Sequence, residues 1–178
     1  KALALGVVGP VLRASGVESD VRRDDPYAAY EEVDFEVQVE DGGDVLSRTL
    51  VRVNETFESI KIILQLLEDL PSGNIVAEVG EPPEEKEEVG RVEAPRGELI
   101  YFIKSNGTNI PERVKIRTPT YMNERSLPEM LQGQRLSDLP LILESIDRCI
   151  SCTNRLTLVD QRTGKKHQVE LSELRRGI

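Results

Sequence analysis

The stretch Asp44-Val45-Leu46-Ser47-Arg48-Thr49-Leu50-Val51-Arg52-Val53-Asn54-Glu55-Thr56-Phe57-Glu58-Ser59-Ile60-Lys61-Ile62-Ile63-Leu64-Gln65-Leu66-Leu67-Glu68-Asp69-Leu70 decides the fold class. Leu46, Leu50, Val53, Phe57, Ile60, Leu64 and Leu67 recur at spacings of four, three, four, three, four and three, which lays them along one side of an α-helix. Val51, Ile62, Ile63 and Leu66 widen the stripe beyond the seam of a two-stranded coiled coil. Residues 44 to 70 are therefore expected to form a core helix of a bundle or of a helix-on-sheet layer. Asp44 is its N-cap, and Pro71-Ser72-Gly73 stops it.

On the N-terminal side, Val33 to Glu40 alternates apolar and polar residues, the period of a strand with one wet face. Before that, residues 6 to 30 are punctuated by glycine and proline. They hold Arg13, Arg22, Arg23, Asp20, Asp24 and Asp25, a density expected on a surface loop with weak local ion pairs; phosphate binding is the alternative. On the C-terminal side, Glu78 to Glu88 carries too much like charge to fold alone, and it lacks the pattern of a calcium loop. Val89 to Glu93, Leu99 to Lys104 and Arg113 to Arg117 then read as a small antiparallel sheet. Ser126 to Leu131 and Ser137 to Ile146 read as short helices, the second capped by Ser137 and burying Leu139, Leu141, Ile142, Leu143 and Ile146. Leu156 to Asp160 and His167 to Leu171 read as a terminal hairpin. The fold class is α+β, a long helical-bundle core with a small antiparallel sheet.

The chain has 178 residues, a formal charge of −9 and 4% aromatic residues, which argues against a nucleic-acid surface. The apolar run from Ala2 to Leu12 is too short and too broken to cross a bilayer. Two cysteines make no disulfide framework, and a reducing cytosol suits them. The first residue is Lys1, as expected of a processed chain or a fragment whose remaining ligands lie elsewhere.

Those cysteines, Cys149 and Cys152, stand in Ser145-Ile146-Asp147-Arg148-Cys149-Ile150-Ser151-Cys152-Thr153-Asn154-Arg155. A C-x-x-C pair is half of a four-ligand metal site. A redox dithiol and two plainly buried thiols are the other readings. His167, the one histidine, is by default a solvated strand residue.

Three ordered motifs carry a resemblance: Glu93-Ala94-Pro95-Arg96-Gly97, then Arg117-Thr118-Pro119-Thr120-Tyr121-Met122-Asn123, then Asp147 to Arg155. Together they resemble the C-terminal half of the large subunit of nickel–iron hydrogenases. Gly9-Pro10-Val11-Leu12-Arg13-Ala14-Ser15-Gly16-Val17, followed by Arg22-Arg23-Asp24-Asp25-Pro26-Tyr27, is similar to the branch shared by membrane-bound, energy-converting hydrogenases and the quinone-site subunit of respiratory complex I. The likeness covers nearly all of residues 6 to 155.

The resemblance implies a hydrogenase large-subunit-like fold and a nickel–iron centre with cyanide and carbon monoxide ligands, held by two C-x-x-C pairs. Cys149 would be a terminal nickel ligand and Cys152 would bridge the metals; soft thiolates suit this. The other pair would come from the missing N-terminal half of the subunit. Arg96 would reach over the vacant nickel position as a catalytic group, Pro119 and Thr120 would border the diatomic ligands, and Pro95 would be a further cofactor-binding residue. Two departures matter. Arg148 stands where hydrogenases commonly have proline, and the chain continues past Arg155, where many large subunits are cut.

Residues 1–155 are thus expected to be the C-terminal part of a large-subunit-like domain, and 156–178 a maturation peptide or a retained tail. The implied partners are a small subunit carrying iron–sulfur clusters and membrane antiporter-like subunits, with no nucleic acid. The implied location is the cytoplasmic, peripheral arm of a membrane-bound complex. The expected activity is interconversion of protons and hydrogen. The alternatives are a nickel-free relative that reduces sulfane sulfur, polysulfide or quinone, and a non-catalytic scaffold.

Overall fold

The structure, a computed structural model, describes residues 1–153, 155–159 and 162–170. Three one-turn helices open the chain: α1 (Ala2–Leu5), α2 (Pro10–Arg13) and α3 (Val21–Asp24). The long helix follows as α4, Val45–Glu68, and the Asp44 carboxylate caps it by accepting the Ser47 N–H at 2.8 Å.

The face on which α4 docks is not the expected one. Leu46, Leu50, Val53, Phe57, Ile60, Leu64 and Leu67 keep between 38% and 64% of their surface exposed. Arg48, Val51, Glu58 and Ile62 are buried instead. These lie half a turn away from the apolar stripe, so the helix packs through a mixed, partly charged side. The reason is hydrogen bonding: that side serves backbone groups of the extended segment 33–40. Gln65 bonds both the N–H and the C=O of Asp34, at 2.8 and 2.7 Å, and the Glu58 carboxylate accepts the Glu36 N–H at 3.1 Å. Residues 33–40 are accordingly extended but belong to no sheet, which corrects the expected strand. Their alternation is still realised, because Val33 and Phe35 pack on Ile62.

The sheet forms as expected. β1 (Glu87–Ala94), β2 (Gly97–Lys104) and β3 (Arg113–Arg117) run antiparallel in the order β1-β2-β3. Period-2 alternation gives it a mixed side, with Arg91, Glu93, Glu98 and Arg117 beside Ile100 and Phe102, and an apolar side, with Val92, Leu99, Tyr101, Ile103, Val114 and Ile116. α5 (Pro119–Asn123) starts on a proline, which suits a first helical position. α6 (Leu127–Leu131) and α7 (Leu139–Ser145) follow. Ser137 makes no cap; it lies in a 3₁₀ turn over Leu136–Asp138. Within α7, Ile142 is buried but Leu141 is 60% exposed, so only one side of this short helix faces inward. Ile146 closes a core with Val7, Val11 and Leu12.

β4 (Arg155–Val159) and β5 (Lys166–Glu170) pair as the expected terminal hairpin. Asp160 and Leu171 of that expectation lie outside the described residues, as does the chain from 171 onward. Among the described residues no helix is long and apolar enough to cross a membrane.

Candidate functional site

The β1–β2 turn is the first element of the site. Ala94 pairs with Gly97, which leaves Pro95 and Arg96 as a two-residue turn with Gly97 at φ 122°. It packs backbone to backbone against Gly9, where an added Cβ would stand 2.3 Å from the Gly97 Cα. Buried Asn123 clips the two segments together: its Oδ1 accepts the Val8 N–H at 2.9 Å, and its Nδ2 donates to the Arg96 carbonyl at 2.9 Å.

Behind the turn lies a buried ion cluster. Arg13 and Asp20 are each 1% exposed. Arg13 meets Glu55 of α4 at 2.6 Å and Glu93 of β1 at 2.9 Å, and Asp20 pairs with Arg22 at 2.6 Å. The expectation of a surface loop fails for Arg13, Asp20 and Arg22, whose charges find opposite partners inside the molecule, and holds for Arg23, Asp24 and Asp25, which are exposed. Glu93 also accepts the Val21 N–H at 3.1 Å, so the cluster fixes the strand that leads into Pro95 and Arg96.

The thiol loop leaves the end of α7. Asp147 takes a left-handed conformation, φ 53°, uncommon for a residue with a Cβ. Arg96 grips it twice: Nε donates to the Asp147 carbonyl, and Nη2 meets the carboxylate at 2.9 Å. Cys149 and Cys152 follow in a tight turn, with the Cys152 N–H donating to the Cys149 carbonyl at 3.1 Å. Both thiols are free. The Cys149 thiol lies below its ordinary value because the Cys152 N–H and then the Cys152 thiol donate to its sulfur, helped by the charge of Arg96. Burial, followed by the hydrogen bond to Cys149, pushes Cys152 up. Cys149 is thus the more acidic thiol of the two.

Pro95, Arg96, Pro119, Cys149 and Cys152 all line one cleft of about 330 Å³, together with Leu99, Tyr101 and Ile116 from the apolar side of the sheet. Thr120 is not in that wall. It is 1% exposed and stands behind the loop, its hydroxyl accepting the Cys149 N–H at 3.4 Å and bonding the Cys152 sulfur. Arg148 reaches away toward Glu124, at 3.8 Å. Two thiolates converging on a pocket suit a soft metal. Among the described residues no group of three or more His, Cys, Asp and Glu side chains that could hold a metal is assembled, so the pair supplies at most half of a tetrathiolate site.

Sequence reasoning did not assign roles to Asp147 or Asn123, although both stand inside the quoted motifs. Arg48 and Arg52, which support the loop from α4, carried no signal beyond their places opposite the apolar stripe.

The site thus joins two free thiols to an arginine-bearing turn on one cleft of an α+β chain. The family model of the respiratory-chain NADH dehydrogenase 49 kDa subunit matches residues 1–89 and 76–155, and the chain belongs to that family, which a complex I subunit and the large subunits of membrane-bound hydrogenases share. The chain is 52% identical over 150 residues to the carbon monoxide-induced hydrogenase of Rhodospirillum rubrum, covering 84% of this chain and 42% of that protein. It is 40% identical over 169 residues to formate hydrogenlyase subunit 5 of Escherichia coli, covering 95% and 30%. It is 42% identical over 164 residues to an F(420)H(2) dehydrogenase subunit of Methanosarcina mazei, covering 87% and 44%. The chain thus spans less than half the length of these relatives.

Proposed function

We propose that this chain is part of the catalytic large subunit of a membrane-bound, hydrogenase-type respiratory complex, in which Cys149 and Cys152 ligate a nickel–iron centre. The observation that carries this reading is the convergence of two free thiols with Arg96, Pro95 and Pro119 on one cleft. The centre would supply hydrogen activation, with cyanide and carbon monoxide on its iron. Arg96, held by Asp147, would present its guanidinium over the cleft, and Pro119 would form part of the apolar wall. Thr120 would hold the Cys149 backbone rather than contact a diatomic ligand.

The remaining thiolates would come from the rest of the same subunit. That remainder would also cover the exposed apolar stripe of α4, a placement supported by the greater length of the relatives. Electrons would pass through an iron–sulfur small subunit, and membrane antiporter-like subunits would anchor the complex, with this chain in its cytoplasmic arm.

A second reading is nickel-free reduction of sulfane sulfur or quinone. The apolar strip Leu99, Tyr101 and Ile116 entering the cleft favours it. Elemental analysis of the intact complex, with hydrogen-uptake, polysulfide-reduction and quinone-reduction assays, separates the two. Stoichiometric nickel with hydrogen activity is expected. Reduction of sulfur or quinone without nickel would establish the second reading, and neither metal nor turnover would leave a scaffold.

A further inference from the structure

We infer that Arg48 and Arg52 of α4 are positioning residues for the thiol loop, acting through Ser145 and Asp147; this rests on the functional reading of Cys149. The last carbonyls of a helix have no partner within it, and at the end of α7 two arginines supply donors. Arg52 Nη1 donates to the Ser145 carbonyl at 2.6 Å. Arg48 Nε donates to the Ser145 hydroxyl at 2.9 Å, and that hydroxyl donates on to the Ile142 carbonyl at 2.7 Å. Arg48 Nη1 is tied to the Gly43 carbonyl at 2.9 Å. Ser145 is thus clamped at both its side chain and its backbone, two residues before Asp147.

Stability alone is a poor account of this arrangement. The two cations stand one helical turn apart, and among the described residues neither forms an ion pair, while Arg52 Nε and Nη2 are buried without a protein partner. Burial lowers the pKa of both; the charge of Arg52 adds to this at Arg48 against the pull of Asp44, and at Arg52 the charges of Asp147 and Glu55 oppose it without undoing it. Apolar side chains of similar volume hold a helix pair together without that desolvation. What the guanidinium forks add is direction. Asp147 must enter its left-handed conformation with its carbonyl and carboxylate both aimed at Arg96, and the residue at which the turn begins must not rotate. α4 therefore reaches the cleft through the sequence Arg52, Ser145, Asp147, Arg96, with Cys149 two residues further along the same loop.

The test uses the full-length subunit before metal insertion, with hydrogen–deuterium exchange read by mass spectrometry over residues 146–153. Arg52→Met is expected to speed exchange of this segment about fivefold while the melting temperature stays close to that of the parent, and Arg52→Lys, which keeps one donor for the Ser145 carbonyl, is expected to restore most of the protection. Unchanged exchange in Arg52→Met overturns the inference, as does a loss of protection that Arg52→Lys fails to relieve. If Arg52→Met does not accumulate, Ser145→Ala, which removes the acceptor of Arg48 and the donor to the Ile142 carbonyl, is expected to speed exchange of the same segment about twofold, and no change overturns it. Because no metal takes part, the result is separable from the functional reading: faster exchange in a subunit whose complex proves nickel-free keeps the positioning and sinks the hydrogenase assignment.

Discussion

The two sides of α4 are built on opposite terms. One carries Leu46, Leu50, Val53, Phe57, Ile60, Leu64 and Leu67, all apolar and all substantially exposed. The other carries Arg48, Arg52, Glu55 and Glu58 against buried Val51 and Ile62, and every described connection from α4 to the ion cluster and the thiol loop runs through it. The apolar side holds generic adhesive surface, proportional to area and indifferent to angle. The polar side holds directional contacts, which cost desolvation and return orientation. The lesson is that the helix separates two tasks: adhesion to something larger on one side, and placement of the cleft on the other.

The comparison is most severely tested at Arg13, the cation that joins the polar side of α4 to β1. Arg13→Met leaves Glu55, Glu93 and Asp20 short of their shared partner, and breaking such a buried set is expected to cost about 3–5 kcal/mol. Denaturant unfolding of the full-length subunit reads this directly, and a loss well below that range would show that the cluster is solvated. The apolar side should respond through assembly instead. Phe57→Asp places a charge in the stripe, and the yield of assembled complex is expected to fall about tenfold or more, whereas an undiminished yield would show that nothing covers this face.

Much of this was legible in the sequence, and the limits have physical causes. The 4-3 spacing locates α4 within two residues at either end, and the alternations of 89–93, 99–104 and 113–117 locate the sheet. Periodicity, however, reports which residues are apolar and not what meets them, so the stripe reads as core whether or not its cover is present. Period-2 alternation over 33–40 likewise reports an extended backbone and not a ladder; the missing strand partner is replaced by the side chains of Gln65 and Glu58. The gathering of Pro95, Arg96, Pro119, Cys149 and Cys152 was legible from ordered motifs. Ser145, Arg48 and Arg52 were not, because a guanidinium bonded to a carbonyl more than ninety residues away leaves no charge-pair pattern to find.

The smallest expected effect separates the two sides by pH, since the apolar stripe contains no titratable group. Two carboxylates of the cluster shift in opposite directions. Burial alone would raise Asp20, but Arg22 bonds both its oxygens and Arg13 lies at 3.5 Å, so its pKa falls below the ordinary value. Burial pushes Glu93 up, against the pull of Arg13. A depressed carboxylate adds stability that is present above its unfolded value and is lost as pH falls through the folded one. A raised carboxylate adds stability that is present below its unfolded value and is lost as pH rises through the folded one. The unfolded values lie near 3.9 for Asp and 4.3 for Glu, so the cluster's contribution should pass through a maximum close to them, falling on the acid side through Asp20 and on the basic side through Glu93. Glu93→Gln is expected to remove the basic-side decline and leave the acid-side one, as read by melting temperature across pH in the full-length subunit. Phe57→Leu, on the other side of the same helix, should leave the shape of that profile unchanged, and a profile that Glu93→Gln does not alter would place the pH dependence outside the cluster.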